Sequence, residues 1–529
     1  MNNRIEALLA PWRDKPTPGV TVGVVVGDEL VAHRHAGLAS LELGVPIDAR
    51  TRFRVASVSK QFTCAAILLL EDRGRLEVAA PARTLLPELP EAYAGITVAQ
   101  LMHNTSGIRD MLEIQRLGGS DLAVPTTPDD LLAGICRQRT LNFVPGARFL
   151  YSNSNFLLLG LIVERLAGVP LAAFLEQEIF APLGMTGTRH TPDVRVAIPR
   201  LATGYLVDDG AFIRAPHAYP LGGEGGLVSS VEDLALWARN AAGARVLGDR
   251  VLRGLERQTP FLNGAANIYA RGLQARPYRS VRTFSHGGLW PGFRTEFLRA
   301  PDQAIAVIAI SNHGGSDPNL LAHRVLDILL DRLPAPPAPK LPPRAALAPM
   351  AGRYLDAATG ATLDITVSDE GVPTLTTNGL ATIAEATEDG RIAVPRGSTV
   401  FMACAAGTDA VEVELDAGSI STWHRTPADP VLPEDLPGIY VSEEMAARWV
   451  IAREGDGMVA RAVGPVTRGG RWQVEPIGSD DVRVHVPGTL MRSWLDVRVA
   501  RDTAGRIEAL VVNGGRVKMA RFVREAERG

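Results

Sequence analysis

At 529 residues the chain is too long for a single hydrophobic core, so several domains are expected. Hydrophobic residues at 46% and charged residues at 21% are ordinary for a soluble globular protein, and the net charge of -3 comes without any run of Lys and Arg. This excludes a nucleic-acid binder, which needs a concentrated basic face, and leaves small molecules or peptides as partners.

The opening segment, MNNRIEALLAPWRDKPTPG, lacks the apolar core of a signal peptide, and no later stretch reaches the roughly 20 apolar residues of a membrane helix. A cytoplasmic protein without membrane contact is expected. The three scattered cysteines, Cys64, Cys136 and Cys404, fit reduced thiols. Val20–Val26 is apolar and β-branched, a central strand. His33 and His35 alternate on the next strand-like run with no third ligand near them, so they predict an exposed edge and no metal. Residues 53–56 read as a strand that passes into a buried helix over 61–70, stopped by Gly74. A second buried helix spans 155–166, a strand 280–285, and a central strand 304–311. Helices mixed with one sheet predict an α+β domain over 1–332.

Residues 333–348 (LPAPPAPKLPPRAALA) are too proline-rich for helix or central strand and read as a semi-rigid linker; a proline-rich ligand for another protein is the less common alternative. Beyond it, short strand-like runs alternate with turn signals, Asp389-Gly390 and Asn513-Gly514, the latter a strong hairpin signal. A faint repeat, Ala351-Gly352-Arg353-Tyr354 and Pro437-Gly438-Ile439-Tyr440, opens two all-β units over 349–430 and 431–529, each of a size that suits a small antiparallel barrel.

Three short motifs carry the chemistry. In Ser57-Val58-Ser59-Lys60 a hydroxyl and an amine stand one helical turn apart, on one face. A serine needs a base, and a lysine desolvated by a buried helix shifts towards the neutral form that is one. The Ser57 N–H, at the helix start, is placed to face an oxyanion. Ser-x-x-Lys is common by chance; the bland reading is a capping serine and an exposed lysine. Tyr151-Ser152-Asn153 precedes the second helix, and a nearby ammonium lowers a phenol towards the phenolate, a second base; Asn153 offers donor and acceptor. His286-Gly287-Gly288 stands at the end of the strand over 280–285; its glycines admit a substrate against the backbone, and the Leu289 N–H completes an oxyanion hole. Alone, each of the last two is most simply a loop feature.

Together, in this order, they resemble the class C β-lactamase and penicillin-binding serine hydrolases. Further matching stretches are His103-Asn104-Thr105-Ser106-Gly107, Pro182-Leu183-Gly184-Met185, and Gly225-Gly226-Leu227-Val228-Ser229-Ser230 with Glu232-Asp233-Leu234. The resemblance spans about residues 5 to 330. It implies an antiparallel sheet flanked by helices beside an all-helical region, with Ser57 as nucleophile and Lys60, Tyr151 and His286 handling protons. In that family the third motif is usually Lys-Thr-Gly; His286 and Gly287 replace its cation and hydroxyl, which removes charge-assisted binding of a substrate carboxylate.

Ser57 to Cys64 (SVSKQFTC) and the His-Gly-Gly variant are similar to the D-aminopeptidases of this family, which carry two C-terminal β-barrels. The resemblance implies release of N-terminal D-residues from small amides, esters or peptides, no cofactor or metal, and a homodimer. It also places an acidic residue at Glu224, in Gly222-Gly223-Glu224-Gly225-Gly226, as partner of a substrate ammonium; the alternative is an exposed glutamate in a flexible turn. One stretch departs. Where those enzymes bring an aspartate into the site mouth from the last barrel, residues 486–494 (VPGTLMRSW) hold no carboxylate, and Arg492 is unfavourable for an ammonium. Cys64 shares the face of Ser57 and reads as a small buried residue. Other readings remain: a family esterase, a weak β-lactamase or carboxypeptidase, a non-catalytic receptor for D-amino peptides, or an interaction protein whose barrels are the working part.

Overall fold

The computed structural model describes all residues except 14, 121–122, 217–218, 221, 244–245, 332–343, 388–390, 395–400, 406, 408, 416–418, 465–469, 487–492 and 527–529. Most of the proline-rich stretch, Asp389-Gly390 and Arg492 lie outside the described residues. Six strands form the first sheet: β1 (Val20–Val26), β2 (Glu29–Ala36), β3 (Gln274–Tyr278), β4 (Val281–Trp290), β5 (Phe293–Ala300) and β6 (Ile305–Ser311). Their order is β3-β4-β5-β6-β1-β2, and every neighbouring pair is antiparallel. The sheet is covered on both faces, which is why β1 and β6 are almost wholly apolar. Val307 and Ala309 pack with Leu321, Val325 and Leu326 of the helix Pro318–Leu329. The intervening Ala306, Ile308 and Ile310 pack with Val231, Leu234 and Ala235 of the helix Val231–Gly243.

The second face leads into the helical region. Its central helix, α1 (Ser59–Asp72), is buried from Ser59 through Leu70; α3 (Asn153–Ala167) packs on it, and α2 (Met111–Leu117) packs on α3. A helix apolar all round is stable in water only where other elements enclose it, and α1 is so enclosed.

Two expectations are corrected. β4 does not end before His286 but runs on to Trp290. The glycines there signal close approach: a Cβ on Gly288 would stand 2.3 Å from the Val55 carbonyl oxygen. The linker is not free of helix: Arg344–Leu347 is helical and Ala348–Met350 a 3-10 turn, because the prolines cluster before Arg344 and one at the helix entrance is tolerated. Asn513-Gly514 does mark a hairpin, since Ile507–Asn513 and Ala520–Arg524 pair antiparallel. It opens a six-residue connection, 514–519, between the strands Ile507–Asn513 and Ala520–Arg524.

After Met350 the chain is all β. The strands between Gly352 and Arg425 form a nine-stranded antiparallel sheet whose two edges, Leu380–Ile383 and Glu385–Ala386, are consecutive in the chain, so the sheet curls towards itself as a half-barrel. Those between Gly438 and Arg524 close into an eight-stranded barrel. The sequence repeat has a physical counterpart. Tyr354 donates to Met350 O (2.9 Å) and Tyr440 to Leu436 O (2.7 Å). In each unit an arginine of the last strand ties down the segment that enters the first: Arg425 donates to Pro349 O and Ala351 O, Arg524 to Asp435 O and Pro437 O. Among the described residues no single helix is long and apolar enough to cross a membrane.

Candidate active site

The chain enters the site from the strand Phe53–Arg54, turns through Ala56 at a φ of 49°, and starts α1 after a 3-10 turn, Ala56–Val58. That left-handed residue is sterically costly for alanine and sets Ser57 apart from the core. From Phe53 to Leu70, Ser57 is the single residue that is not buried.

Lys60 is fully buried beneath it. Its Nζ lies 3.0 Å from Ser57 Oγ, 2.9 Å from Asn153 Oδ1 and 2.6 Å from Glu224 O. Two of these partners are carbonyl oxygens, which only accept. A neutral amine has two N–H groups for those two acceptors, and its lone pair then faces the Ser57 hydroxyl. Burial favours this state and lowers the Lys60 pKa to about 7.

The Asn153 amide is held in turn by Asp110. Asp110 Oδ2 accepts from Asn153 N (2.7 Å) and Nδ2 (3.0 Å), which aims Oδ1 at Lys60. Asp110 Oδ1 caps α2 by accepting from Leu112 N and Glu113 N. Asn104, at a φ of 54°, accepts from Ser152 N and Asn155 Nδ2, so the stretch His103 to Gly107 is the bracket for residues 151–155.

Tyr151 stands beside Ser57, close enough for the serine to act on its phenol, and Lys60 Nζ lies 4.9 Å from its ring centroid. The expected lowering of its pKa is not found: burial outweighs the neighbouring cations and raises it above the usual phenol value, so the ring is neutral. His286 is also neutral, pushed down to about 3 by burial and by Lys60. Its Nδ1 is 2.6 Å from Gly287 O, an acceptor only, so Nδ1 carries the proton and Nε2 accepts from Tyr269 Oη at 2.9 Å. The imidazole packs on Tyr151 at 5.9 Å between ring centroids. β3 begins opposite Ser285, so among the described residues no strand pairs with that side of β4 from His286 onward, and Gly287 and Leu289 are half-buried on this edge.

The loop 222–226 is wedged between helices. Thr63 donates to Gly223 O, and a Cβ on Gly223 would meet Phe156 O at 2.6 Å. Glu224 is buried, not exposed in a flexible turn. Tyr219 (3.2 Å) and Gly222 N (2.9 Å) donate to its Oε1, while its Oε2 has no hydrogen-bond partner among the described residues. Burial raises its pKa. Cys64 is buried and its thiol pKa is raised by burial.

The profile of the Beta-lactamase family matches residues 1–330. The chain belongs to the beta-lactamase family. It is a serine hydrolase of the beta-lactamase fold. A D-aminopeptidase of Cereibacter sphaeroides is 29% identical over 469 residues, 88% of this chain and 87% of that one. The octameric penicillin-binding protein homologue from Pyrococcus abyssi superposes with a TM-score of 0.57 at 22% identity, over 80% of this chain and 99% of that one. The D-amino acid amidase from Ochrobactrum anthropi SV3, complexed with D-phenylalanine, gives 0.54 at 24% identity, over 62% and 99%.

Three further residues of this family member's site have no mark in the sequence motifs. Asp110 shows only the ordinary signal of a helix cap. Tyr269 lies in an irregular segment. Arg516, on the connection 514–519 of the closed barrel, holds its guanidinium carbon 4.7 Å from the Tyr151 ring centroid and pairs with Asp110 Oδ2 at 3.7 Å. Among the described residues no group of His, Cys, Asp and Glu could hold a metal ion.

Proposed function

We propose that the protein is a D-stereospecific aminopeptidase that works through an acyl-enzyme on Ser57. The observation that carries this reading is the coordination of Lys60, whose two pure acceptors leave the lone pair for the serine hydroxyl. Lys60 takes the Ser57 proton as Oγ bonds to the substrate carbonyl carbon, and the oxyanion is met by the N–H groups of Ser57 and Leu289. As the C–N bond breaks, neutral Tyr151 gives its proton to the departing nitrogen and recovers one from Lys60. Water then attacks the ester along the reverse proton path and frees Ser57. Asn153 orients Lys60, and His286, with both ring nitrogens engaged, positions Tyr151 rather than moving protons.

The preference for a free D-amine rests on the names of the relatives and on Glu224. Its buried Oε2, without a hydrogen-bond partner among the described residues, is a ready acceptor for an ammonium, and the ammonium would offset the cost of burying the carboxylate. The test is hydrolysis of D- and L-alanine p-nitroanilides, each with free and acetylated amine, together with mass spectrometry after a fluorophosphonate. Turnover confined to the free D-compound, a covalent adduct on Ser57 and an inert Ser57→Ala variant are expected. Turnover of a cephalosporin or of simple esters alone removes the aminopeptidase reading; lack of an adduct removes the acyl-enzyme.

A further inference from the structure

We propose that Arg516 is an anion-binding subsite of the active site that selects substrates with a carboxylate one residue beyond the scissile bond, so that dipeptides with a free C-terminus are preferred over simple amides. The proposal rests on the aminopeptidase reading and names the substrate class within it.

The position of the side chain is the first argument. Its guanidinium stands against the ring of Tyr151, which lies beside the nucleophile. An extended residue spans about 3.4 Å, so a carboxylate one residue past the acyl carbon comes within reach of a cation placed there. Arg516 is also 42% exposed in its side chain, so it meets the solvent from which substrate arrives.

Its unused bonding capacity is the second. Among the described residues the only carboxylate paired with Arg516 is Asp110, at 3.7 Å, too long for a hydrogen bond. That oxygen already accepts twice from Asn153, and the other oxygen caps α2. A guanidinium against an aromatic face keeps its in-plane fork of N–H donors available, the geometry that grips a carboxylate bidentately.

The third argument is that the loop is fixed without the side chain. Asn142 Nδ2 donates to Arg516 O (3.1 Å), Lys518 N to Asn142 Oδ1 (2.7 Å), Arg109 Nη2 to Lys518 O (3.2 Å), and Met519 N to Asn513 Oδ1 (3.0 Å). Gly514 is pressed against Glu113, where a Cβ would stand 2.5 Å from Oε1. Backbone and neighbouring side chains hold the connection, and the guanidinium is left for a ligand. With Glu224 for the ammonium and Arg516 for the carboxylate, both ends of a short zwitterionic peptide have a counter-charge.

The experiment compares wild type, Arg516→Ala and Arg516→Lys on D-alanyl-glycine and D-alaninamide. In Arg516→Ala the KM for the dipeptide should rise at least tenfold relative to that for the amide, and Arg516→Lys should recover part of the ratio. An equal change on both substrates, or no change in their ratio, overturns the proposal; the first result would make Arg516 a positioning residue for Tyr151. A second pair, ethyl acetate and acetoxyacetate, whose carboxylate stands one residue past the acyl carbon as in the dipeptide, carries the same comparison on esters. If wild type turns over these esters but neither D-compound, the aminopeptidase reading fails, and the ester ratio alone decides the subsite. A protein inert to all four compounds overturns both.

Discussion

Lys60 illustrates how burial can create a base. In water its amine is protonated at neutral pH; enclosed by α1, α3 and the loop 222–226 it is lowered to about 7. Below that value the ammonium has three N–H groups for its three oxygen partners, and no lone pair faces Ser57. Above it, one partner must become the donor, and only the Ser57 hydroxyl can. The sign follows directly: kcat/KM should rise as pH increases through about 7 and hold on the alkaline side until another group titrates. Lys60 and Glu224 are close enough to titrate together, so the limb belongs to the pair. A pH profile of kcat/KM on a D-aminoacyl p-nitroanilide measures this. An acid limb in the ordinary carboxylate range would assign the base to a carboxyl group and remove Lys60 from the role.

Elements differ in how openly the sequence declares them. β1, β6 and α1 were legible because their residues repeat one physical instruction, burial on every side, over six or more positions. β4 was cut short because glycine weakens a strand on average, whereas here it lets the strand pass Val55. Ser57, Lys60, Tyr151 and His286 were named from short motifs, and the structure brings them together; Asp110 and Arg516 could not be named, since a cap residue and a loop arginine acquire meaning only when a distant segment folds against them. The loop 222–226 carries the same lesson and a prediction. Its glycines are needed for contact with α1 and α3, so Gly223→Ala must push Phe156 or Thr63 aside. Overpacking of this kind costs about 1–3 kcal/mol. The larger effect should be on turnover, because any shift moves Glu224 O away from Lys60. A loss of kcat of about tenfold or more with a fall in Tm of only a few degrees is expected; a Tm change without loss of kcat would show that the Lys60 contact tolerates displacement.

At the scale of the whole molecule the closed barrel and the helical region share a core. Ile114 and Leu117 of α2 belong to the barrel's hydrophobic cluster, and barrel residue Trp449 donates from Nε1 to Leu117 O at 2.8 Å. Polar contacts lock the docking at Arg109, 1% exposed, which donates to Gln138 Oε1 and to barrel residues Glu444 Oε2 (3.1 Å) and Lys518 O. Glu444 also accepts from the backbone N–H groups of Arg139 and Thr140. Because Arg109 and Asp110 are adjacent, the barrel is fastened one residue from the carboxylate that orients Asn153. Glu444→Ala strands a buried guanidinium and should cost on the order of 3 kcal/mol. Arg448→Ala, which breaks the exposed pair with Glu525 on the same barrel, should cost less than about 1 kcal/mol. Thermal unfolding of both variants, with kcat/KM measured well below their transitions, separates the cases. Glu444→Ala should lower Tm by several degrees and also reduce kcat/KM, since Arg109 anchors the connection that carries Arg516, whereas Arg448→Ala should do neither. Equal behaviour of the two variants would mean that the apolar contact of α2 with the barrel suffices for docking, and that the barrel shapes the site without a polar clamp.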